Sequence, residues 1–373
     1  MSICNSKGLE LLKSEYDKAG KNKFGLYLGA GVNLLPPESK NRHRKYFEVH
    51  TWRGLLKALY EANEHHPKTT FEQLVNEHQP DNDWPGLAQD VCNKMTDDEI
   101  AEALDRIIYT CIPRSNQDAQ LSKRFLDQAP TLHAAICFST RIKRRTQSGK
   151  WTFQRNPKLG IVITPNYDFF FGAGWTCYQA FSFQWCHRTP YRLRTPKYPD
   201  KQGLLNYIHG YLPYRKTRKE KIVLTKKSYK DAYVSLGARG HRWTTYEQAC
   251  KEGKFADYTL WKGINEHQMI FIGTSFIDKP LCEMLDRYRE KQKHFAIVKA
   301  SDHDLINHVR QLGVYPVMVK KHSQVKDLLQ QVYCVALRDK DWNEADLDGP
   351  KHYWQRLWLG KALSKNVLKK AAR

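Results

Sequence analysis

The stretch from Phe24 to Asn33 constrains the fold of this chain more than any other. Its sequence is Phe-Gly-Leu-Tyr-Leu-Gly-Ala-Gly-Val-Asn, an apolar run without alternation that ends in a Gly-Ala-Gly turn. Such runs are typical of a central parallel strand with both faces covered. Glycines at the turn would let the backbone approach a phosphate group, next to the partial positive charge of a helix N-terminus. The stretch therefore predicts a buried strand and a nucleotide-binding turn, although a tight connection without a ligand could have the same sequence.

The composition is that of a folded protein with a strongly basic balance of charge. Hydrophobic residues make up 41% and aromatic residues 12% of the chain, which excludes a disordered protein. The formal net charge of +22 favours a polyanionic partner such as nucleic acid, an acidic subunit or a phosphorylated ligand; a solvated basic surface is the alternative. No apolar run has the length of a membrane span and the N-terminus lacks a signal-peptide pattern, so we expect a cytoplasmic protein without membrane contact.

The cysteine and histidine patterns do not predict a metal site. The 9 cysteines stand at irregular positions and no pair has the C-x-x-C spacing, which is typical of buried thiols in a reducing compartment. Cys177 and Cys186 lie near His187 without completing a known metal spacing. The adjacent His65 and His66 would diverge on a helix. We therefore expect no bound metal.

Apolar runs and helical patterns alternate along most of the chain. Strands separated by helices predict an α/β fold with a doubly wound parallel sheet. A helix is expected at residues 7–19 and another through residues 305–312. The apolar runs lie at residues 24–28, 159–163, 205–208, 221–225, 269–272, 294–298 and 315–319.

The region between the first two of these runs is patterned as helix. Thr96 to Glu99 form a capping box ahead of a helix that Pro113 stops, residues 117–140 hold two further helical segments, and residues 141–150 suggest an exposed basic linker. This region is too long for an ordinary crossover, so it predicts a helical insertion that caps the ligand crevice.

The chain therefore divides into three parts. Residues 1–35 and 155–337 form the α/β core, residues 36–154 the helical insertion, and residues 338–373 a basic, aromatic C-terminal tail. Because exposed tryptophans are unfavourable, we expect the tail to dock on its own domain or on a partner subunit, with an anionic surface as the alternative.

Polar or glycine motifs follow four of the predicted strands. The carboxyl ends of parallel strands are where open α/β sheets bind ligands, so these motifs should converge on one crevice. They are Gly29-Ala30-Gly31, Asn166 with Asp168, His209-Gly210, and Gly273-Thr274-Ser275.

In this order and at these spacings the motifs resemble the sirtuin-like superfamily, whose members bind NAD. Thr164 to Asp168 are similar to the T-x-N-Y-D element of sirtuin-like proteins of bacterial immunity, whereas protein deacetylases have a Gln-Asn-Ile-Asp form. Deacetylases also insert a four-cysteine zinc module after their His-Gly, but this chain has only Cys250 between His209 and Gly273. Asn33 and Pro165 depart from the family pattern. The resemblance implies a Rossmann-like, sirtuin-like core that uses NAD as a substrate and lacks the zinc module.

The resemblance also implies an activity and its context. Members of the immunity branch hydrolyse NAD to nicotinamide and ADP-ribose when a phage is sensed. They often act in assemblies, so we expect a homo-oligomer and a partner such as an ATPase, a DNA translocase or an Argonaute-type protein. The basic surface could also contact nucleic acid directly.

The candidate catalytic residues are Asn166, His209 and Asp168. Nicotinamide is a good, cationic leaving group, so the site needs only to hold the ribose, favour positive charge at its C1 atom and direct a water there. His209 is the candidate general base because an unperturbed imidazole titrates near neutrality. Asn166 would orient the water or the ribose 3-hydroxyl. Asp168 would bind the carboxamide or support the oxocarbenium ion; capping of the next helix is an equal alternative.

The two glycine turns supply the remaining candidate contacts. The backbone amides of the first turn would hold the pyrophosphate, with Asn33 at the family's ribose contact, and the Gly-Thr-Ser turn would meet the adenosine ribose or the phosphates. Asp278 is expected to cap the next helix. The predicted cofactor-binding set is Gly29, Ala30, Gly31, Val32, Asn33, Asn166, Asp168, Gly273, Thr274 and Ser275.

Two other functions are compatible with the sequence. The chain could be a basic, DNA-associated subunit whose NAD pocket is vestigial or senses ligands that resemble ADP-ribose. It could also be an NAD-dependent deacylase, although the missing cysteines speak against this.

Overall fold

The computed structural model describes residues 7–33, 49, 51–80, 82–109, 131, 134–135, 138–145, 151–168, 171, 187–188, 205–210, 212, 222–233, 243 and 245–336. The predictions for the loop between Cys177 and Cys186, for the tail at 338–373 and for most of residues 117–137 lie outside this part of the chain.

Nine strands are assigned within the described residues. They are β1 (Phe24–Leu28), β2 (Thr140–Arg145), β3 (Trp151–Arg155), β4 (Leu159–Thr164), β5 (His187–Arg188), β6 (Leu205–Tyr207), β7 (Gln268–Ile272), β8 (His294–Lys299) and β9 (Val314–Val319).

The described α-helices fall into three groups along the chain. The first precedes the sheet, the next four lie between β1 and β2, and the rest follow β6. They are α1 (Lys7–Lys18), α2 (Trp52–Ala62), α3 (Phe71–His78), α4 (Trp84–Val91), α5 (Asp97–Tyr109), α6 (Lys226–Ala232), α7 (Tyr246–Lys251), α8 (Phe255–Glu266), α9 (Lys279–Tyr288), α10 (His303–Gln311) and α11 (Val325–Ala336). Short 3-10 helices occupy Ala30–Asn33 and His322–Gln324.

Seven strands form one parallel sheet in the order β5-β6-β4-β1-β7-β8-β9. The central strand is β1, in which Leu26 pairs with Val162 of β4 on one side and Ile270 of β7 on the other. The predicted α/β fold with a doubly wound parallel sheet is confirmed. The chain builds β4 to β6 on one side of β1 and β7 to β9 on the other. The topological switch point, where such sheets bind ligands, therefore lies at the carboxyl end of β1.

Helices cover both faces of the sheet, which explains why the strands are apolar without alternation. Leu26 and Leu28 point into a core shared with α1, the helices α2 to α5, and α11. Tyr27 points into a second core with α6, α8, α9 and α10. All five residues of β1 are buried. The strand therefore fixes the sheet's position between two helical layers.

Two expectations about local structure were wrong. The first residues of the expected exposed linker at 141–150 lie in β2, which pairs antiparallel with β3. A two-stranded ladder satisfies the backbone whatever the charge of the side chains, so the basic composition did not reveal it. The apolar run at 221–225 is not a strand over residues 222–224, although Val223 N donates to His209 O at 3.0 Å.

The helical patterning between β1 and β2 is confirmed where the structure describes it. Thr96 and Glu99 form the predicted capping box: the Glu99 amide donates to Thr96 Oγ1 at 3.3 Å, and the Thr96 amide donates to Glu99 Oε2 at 2.7 Å. Among the helices of the described residues, none is long and apolar enough to cross a bilayer.

Candidate active site

A cavity of about 460 Å³ lies along the carboxyl ends of the strands of the large sheet. Each of the four predicted motifs contributes to its wall. The lining residues from these motifs are Gly29, Ala30, Gly31, Asn166, Asp168, His209, Gly273, Thr274 and Ser275. They are separated by up to about 250 residues of sequence and converge because parallel strands end at the same edge of the sheet.

The helical region between β1 and β2 forms part of the same cavity wall. It contributes Trp52, Arg53 and Leu55 from α2, Trp84 from α4 and Ile108 from α5. The Arg53 guanidinium is held by the Glu72 carboxylate. The expectation that helices from this region cover the crevice agrees with these positions.

The two glycine turns are in direct backbone contact. A Cβ atom on Gly29 would lie 2.5 Å from Gly273 O, and one on Gly31 would lie 2.8 Å from Gly273 Cα. Gly273 itself has a φ of +67°, and a Cβ there would lie 2.4 Å from Val32 N. Glycine is therefore required at these positions so that the turns after β1 and β7 can pack against each other.

The predicted amide cradle for the pyrophosphate is only partly available. Gly29 N donates to Ile272 O at 3.0 Å, Gly31 N donates to Gly273 O at 2.8 Å, and Val32 N donates to Gly29 O at 3.2 Å. Three of the four amides assigned to the phosphates thus bond to protein carbonyls. The sequence did not reveal these bonds, because a glycine turn has the same sequence whether it packs on a ligand or on a second turn.

Asn33 contacts a candidate catalytic residue and does not line the cavity. It is 1% exposed, and its Nδ2 atom donates to Asp168 Oδ2 at 2.5 Å. Its own Oδ1 atom is buried without a hydrogen-bond partner among the described residues. Val32 is likewise buried and does not line the cavity. The predicted ribose contact of Asn33 is therefore replaced by a contact that orients the carboxylate of Asp168.

Asn166 is fixed at the end of β4 by two hydrogen bonds. Its backbone N donates to Thr164 Oγ1 at 3.1 Å, and Thr164 Oγ1 in turn donates to Leu28 O at 2.8 Å. Its side-chain Nδ2 donates to Gly29 O at 3.2 Å. The side chain therefore bridges the ends of β4 and β1 at the cavity wall. One N–H of the side chain is thus used, and the amide oxygen could accept a hydrogen bond from a ligand.

His209 lies in an aromatic surround at the cavity wall. It is 1% exposed, its Nε2 atom is 2.8 Å from Tyr233 Oη, and its ring centroid lies 5.1 Å from that of Tyr229. Burial lowers the pKa of His209 to about 3, because the imidazolium ion is poorly solvated there. The argument that its pKa lies near neutrality was therefore wrong. The imidazole is neutral at physiological pH and suited to hydrogen bonding.

Asp278 also lines this cavity, which the sequence did not predict. The residue occupies the cap position of α9, but its side chain makes no capping hydrogen bond. Its Oδ2 atom is buried without a hydrogen-bond partner among the described residues. Burial, and to a smaller extent the nearby charge of Glu283, raise the pKa of Asp278 to about 7. No sequence pattern indicated this role, since an Asp before a helix is usually a cap.

The far part of the cavity is formed by residues that follow β8 and β9. Lys299 ends β8, Asp302 caps α10 by accepting a hydrogen bond from Leu305 N at 3.2 Å, and His322 follows β9. All three are exposed. The strand-end rule that identified Asn166 and His209 would also have identified Lys299.

Within the part of the chain that the structure describes, no group of three or more His, Cys, Asp or Glu residues could hold a metal ion. His66 Nδ1 lies 2.9 Å from Pro67 O, and its ring packs on Tyr60 at 4.6 Å.

One comparison with known proteins bears on this site. Residues 160–317 match the family model of the SIR2-like domain. The matched region contains Asn166, Asp168, His209 and the Gly273–Ser275 turn, whereas the Gly29–Gly31 turn precedes it. A comparison with curated proteins gives no match.

Proposed function

We propose that the chain is a member of the SIR2-like family and an NAD hydrolase that releases nicotinamide and ADP-ribose, since residues 160–317 match the SIR2-like domain, whose members bind NAD. NAD is the substrate in this proposal.

The observation that carries the proposal is the convergence of three side chains on one cavity. Asn166 and Asp168 follow β4, His209 follows β6, and all three line the same cavity. Their chemistry matches what cleavage of the nicotinamide-ribose bond requires: an oriented amide, a carboxylate and a neutral imidazole. The cavity volume of about 460 Å³ is also in the range of small-molecule sites.

The reaction needs little acid catalysis because nicotinamide leaves as a neutral molecule from a cationic substrate. As the bond to nitrogen breaks, positive charge develops on the ribose, and the carboxylate of Asp168 would stabilise it. The hydrogen bond that Asn33 Nδ2 donates to Asp168 would keep this carboxylate oriented during the reaction. Asn166 and the imidazole of His209 would bind the ribose hydroxyls and restrict the ring to a reactive orientation.

The direct test is nicotinamide release from NAD by the purified protein and by an Asn166→Ala variant. We expect the wild-type protein to release nicotinamide and the variant to lose at least about 100-fold in rate, because the substrate is no longer oriented. Asn307→Ala is the matched control, since Asn307 is an exposed asparagine on α10 that does not line the cavity. Undiminished release by Asn166→Ala would contradict the proposal.

The same assay in the presence of DNA tests the alternative of a binding subunit. Retention of the protein on DNA without NAD turnover would favour a basic subunit with a vestigial pocket, which the net charge of +22 makes plausible. Turnover of an acetylated peptide would favour the deacylase. We expect NAD hydrolysis.

We extend the proposal to the biological setting that the family resemblance implies. The protein would deplete NAD as an effector of antiphage defence, after activation in an oligomeric assembly with an ATPase, DNA translocase or Argonaute-type partner. The test is the cellular NAD concentration after phage infection in cells that express the wild-type protein or Asn166→Ala. NAD loss that requires Asn166 would support this setting, and unchanged NAD in both strains would contradict it.

A further inference from the structure

The side chain of Asp278 does not perform the structural task that its position suggests. At a helix cap, a side chain normally accepts a hydrogen bond from the amide of the second or third helical residue. The second helical residue of α9 is Pro280, which has no N–H. The Asp278 side chain makes no such bond, and its Oδ2 atom is buried without a partner among the described residues.

The Asp278 carboxylate acts electrostatically on the aromatic group that surrounds His209. Its charge raises the pKa of the hydroxyl groups of Tyr27, Tyr167, Tyr229 and Tyr233, after the larger effect of burial. The hydroxyl of Tyr233 is in turn 2.8 Å from His209 Nε2. Asp278 and His209 therefore belong to the same end of the cavity.

The other two candidate groups for accepting a proton at this end, Asp168 and His209, already have hydrogen-bond partners. Asp168 accepts a hydrogen bond from Asn33 Nδ2 at 2.5 Å, so its Oδ2 atom already has a partner. His209 is a poor proton acceptor because burial lowers its pKa to about 3. Burial acts in the opposite direction on a carboxyl group and brings the pKa of Asp278 to about 7, near the value that suits a general base at neutral pH.

We propose that Asp278 is the general base of NAD hydrolysis and accepts a proton from the attacking water. The inference rests on the proposed function. In this step, the water oxygen forms a bond to C1 of the nicotinamide ribose, and the bond from C1 to the nicotinamide nitrogen breaks. The electron pair of the broken bond leaves with neutral nicotinamide. One proton of the water moves to the Asp278 carboxylate, and the products are ADP-ribose and protonated Asp278.

The test compares hydrolysis with a reaction that needs no proton removal. Azide is an anion without a proton to lose, so it can attack C1 of the ribose without the help of a base. For Asp278→Asn we expect NAD hydrolysis to fall at least about 100-fold. We also expect sodium azide to restore nicotinamide release, with ADP-ribosyl azide detected by mass spectrometry. Asp278→Glu, which retains a carboxylate, should recover part of the hydrolysis.

The matched control is Asp286→Asn, which removes an exposed carboxylate from the same helix outside the cavity wall. It should hydrolyse NAD at a rate within about threefold of the wild-type rate. Because the Asp278 side chain makes no capping hydrogen bond and its Oδ2 atom has no partner among the described residues, Asp278→Asn should melt at or above the wild-type temperature.

Three outcomes would overturn the inference. Hydrolysis by Asp278→Asn within about threefold of wild type would show that no proton is transferred to this group. A large loss that azide does not relieve, in Asp278→Asn and Asp278→Glu alike, would show a structural role. A wild-type protein that releases no nicotinamide would defeat the proposed function, and this inference with it, whereas the first two outcomes leave the proposed function standing.

Discussion

The two ends of the cavity differ in how much water reaches their charged groups. At one end, His209 and Asp168 are 1% and 4% exposed, and Asp278 has a buried carboxylate oxygen. At the other end, Lys299 and Asp302 are exposed. The strands that precede His209 and Lys299 are four positions apart in the sheet, which places the two ends about 19 Å apart.

We expect this difference in exposure to separate the groups that act on the reaction from the groups that only bind the ligand. At the buried end, the loss of water moves the pKa of His209 to about 3 and that of Asp278 to about 7. Electrostatic interactions are strong there, so this end can stabilise a developing charge. At the exposed end, water and salt screen the side chains, which can hold a ligand but contribute less to a reaction. A dinucleotide bound along the sheet would place its nicotinamide at the buried end and its adenosine at the exposed one.

The largest effect is expected at the buried end. His209→Ala should lower kcat for NAD hydrolysis by about 1000-fold, with little change in KM, because a positioned hydrogen-bond partner of the reacting ribose is lost. Steady-state nicotinamide release measures both constants. A rise in KM with an unchanged kcat would show that His209 only binds the substrate in the ground state. The two ends of the cavity would then not differ in their roles.

The next largest effect is expected where the two glycine turns, after β1 and β7, contact each other. Gly273→Ala combines a left-handed φ of +67° with a Cβ atom 2.4 Å from Val32 N, so the free energy of unfolding should fall by about 3 kcal/mol. Gly253→Ala is the control, since Gly253 has a φ of +72° but nothing within 4 Å of the added Cβ; it should cost about 1 kcal/mol. Equal losses in urea denaturation would show that the turns do not require their close contact.

A pH profile sharpens the comparison further. The raised pKa of Asp278 means that its carboxylate is present above about pH 7 and is lost as the pH falls. Below about pH 7, we expect kcat/KM to fall tenfold for each pH unit, which amounts to about 30-fold at pH 5.5. Above about pH 7, kcat/KM should be constant. Asp278→Asn should abolish this slope. A slope that persists in the variant would assign the titration to another group.

His209, Cys282 and the four tyrosines that face Asp278 do not titrate over this range. Burial keeps His209 neutral and raises the pKa of Cys282 to about 12. The four tyrosines have raised pKa values, and the raised pKa of Glu283 is partly offset by Lys279 and Arg287. The facing groups are Tyr27 from β1, Tyr167 and Asp168 after β4, His209 after β6, Tyr229 and Tyr233 at α6, and Cys282 and Glu283 on α9.

The smallest effect is expected at the exposed end. Lys299→Ala should raise KM for NAD about threefold at low ionic strength and leave kcat unchanged, because an exposed charge contributes little free energy to binding. The rise in KM should diminish in 0.5 M salt, where screening is stronger. A large drop in kcat would show that Lys299 acts on the reaction and that the two ends do not have separate roles.

Much of the fold and part of the site could be predicted from the sequence. The apolar run of β1 and the alternation of strands and helices determined a parallel sheet, because only a strand covered on both faces is apolar at every position. The rule that ligands bind at the carboxyl ends of such strands then brought Asn166, Asp168, His209 and Gly273 to one cavity. These inferences needed only local pattern and topology.

The tertiary structure decided which partner each group meets. Asn33 bonds to Asp168 across 135 positions of sequence, and the amides of Gly29 and Gly31 donate to carbonyls of the β7 end. Burial then moved the pKa values of His209 and Asp278 in opposite directions, away from the values that their residue types predict. Loss of water depends on how the helices pack over the strand ends, and no spacing of residues along the chain encodes it.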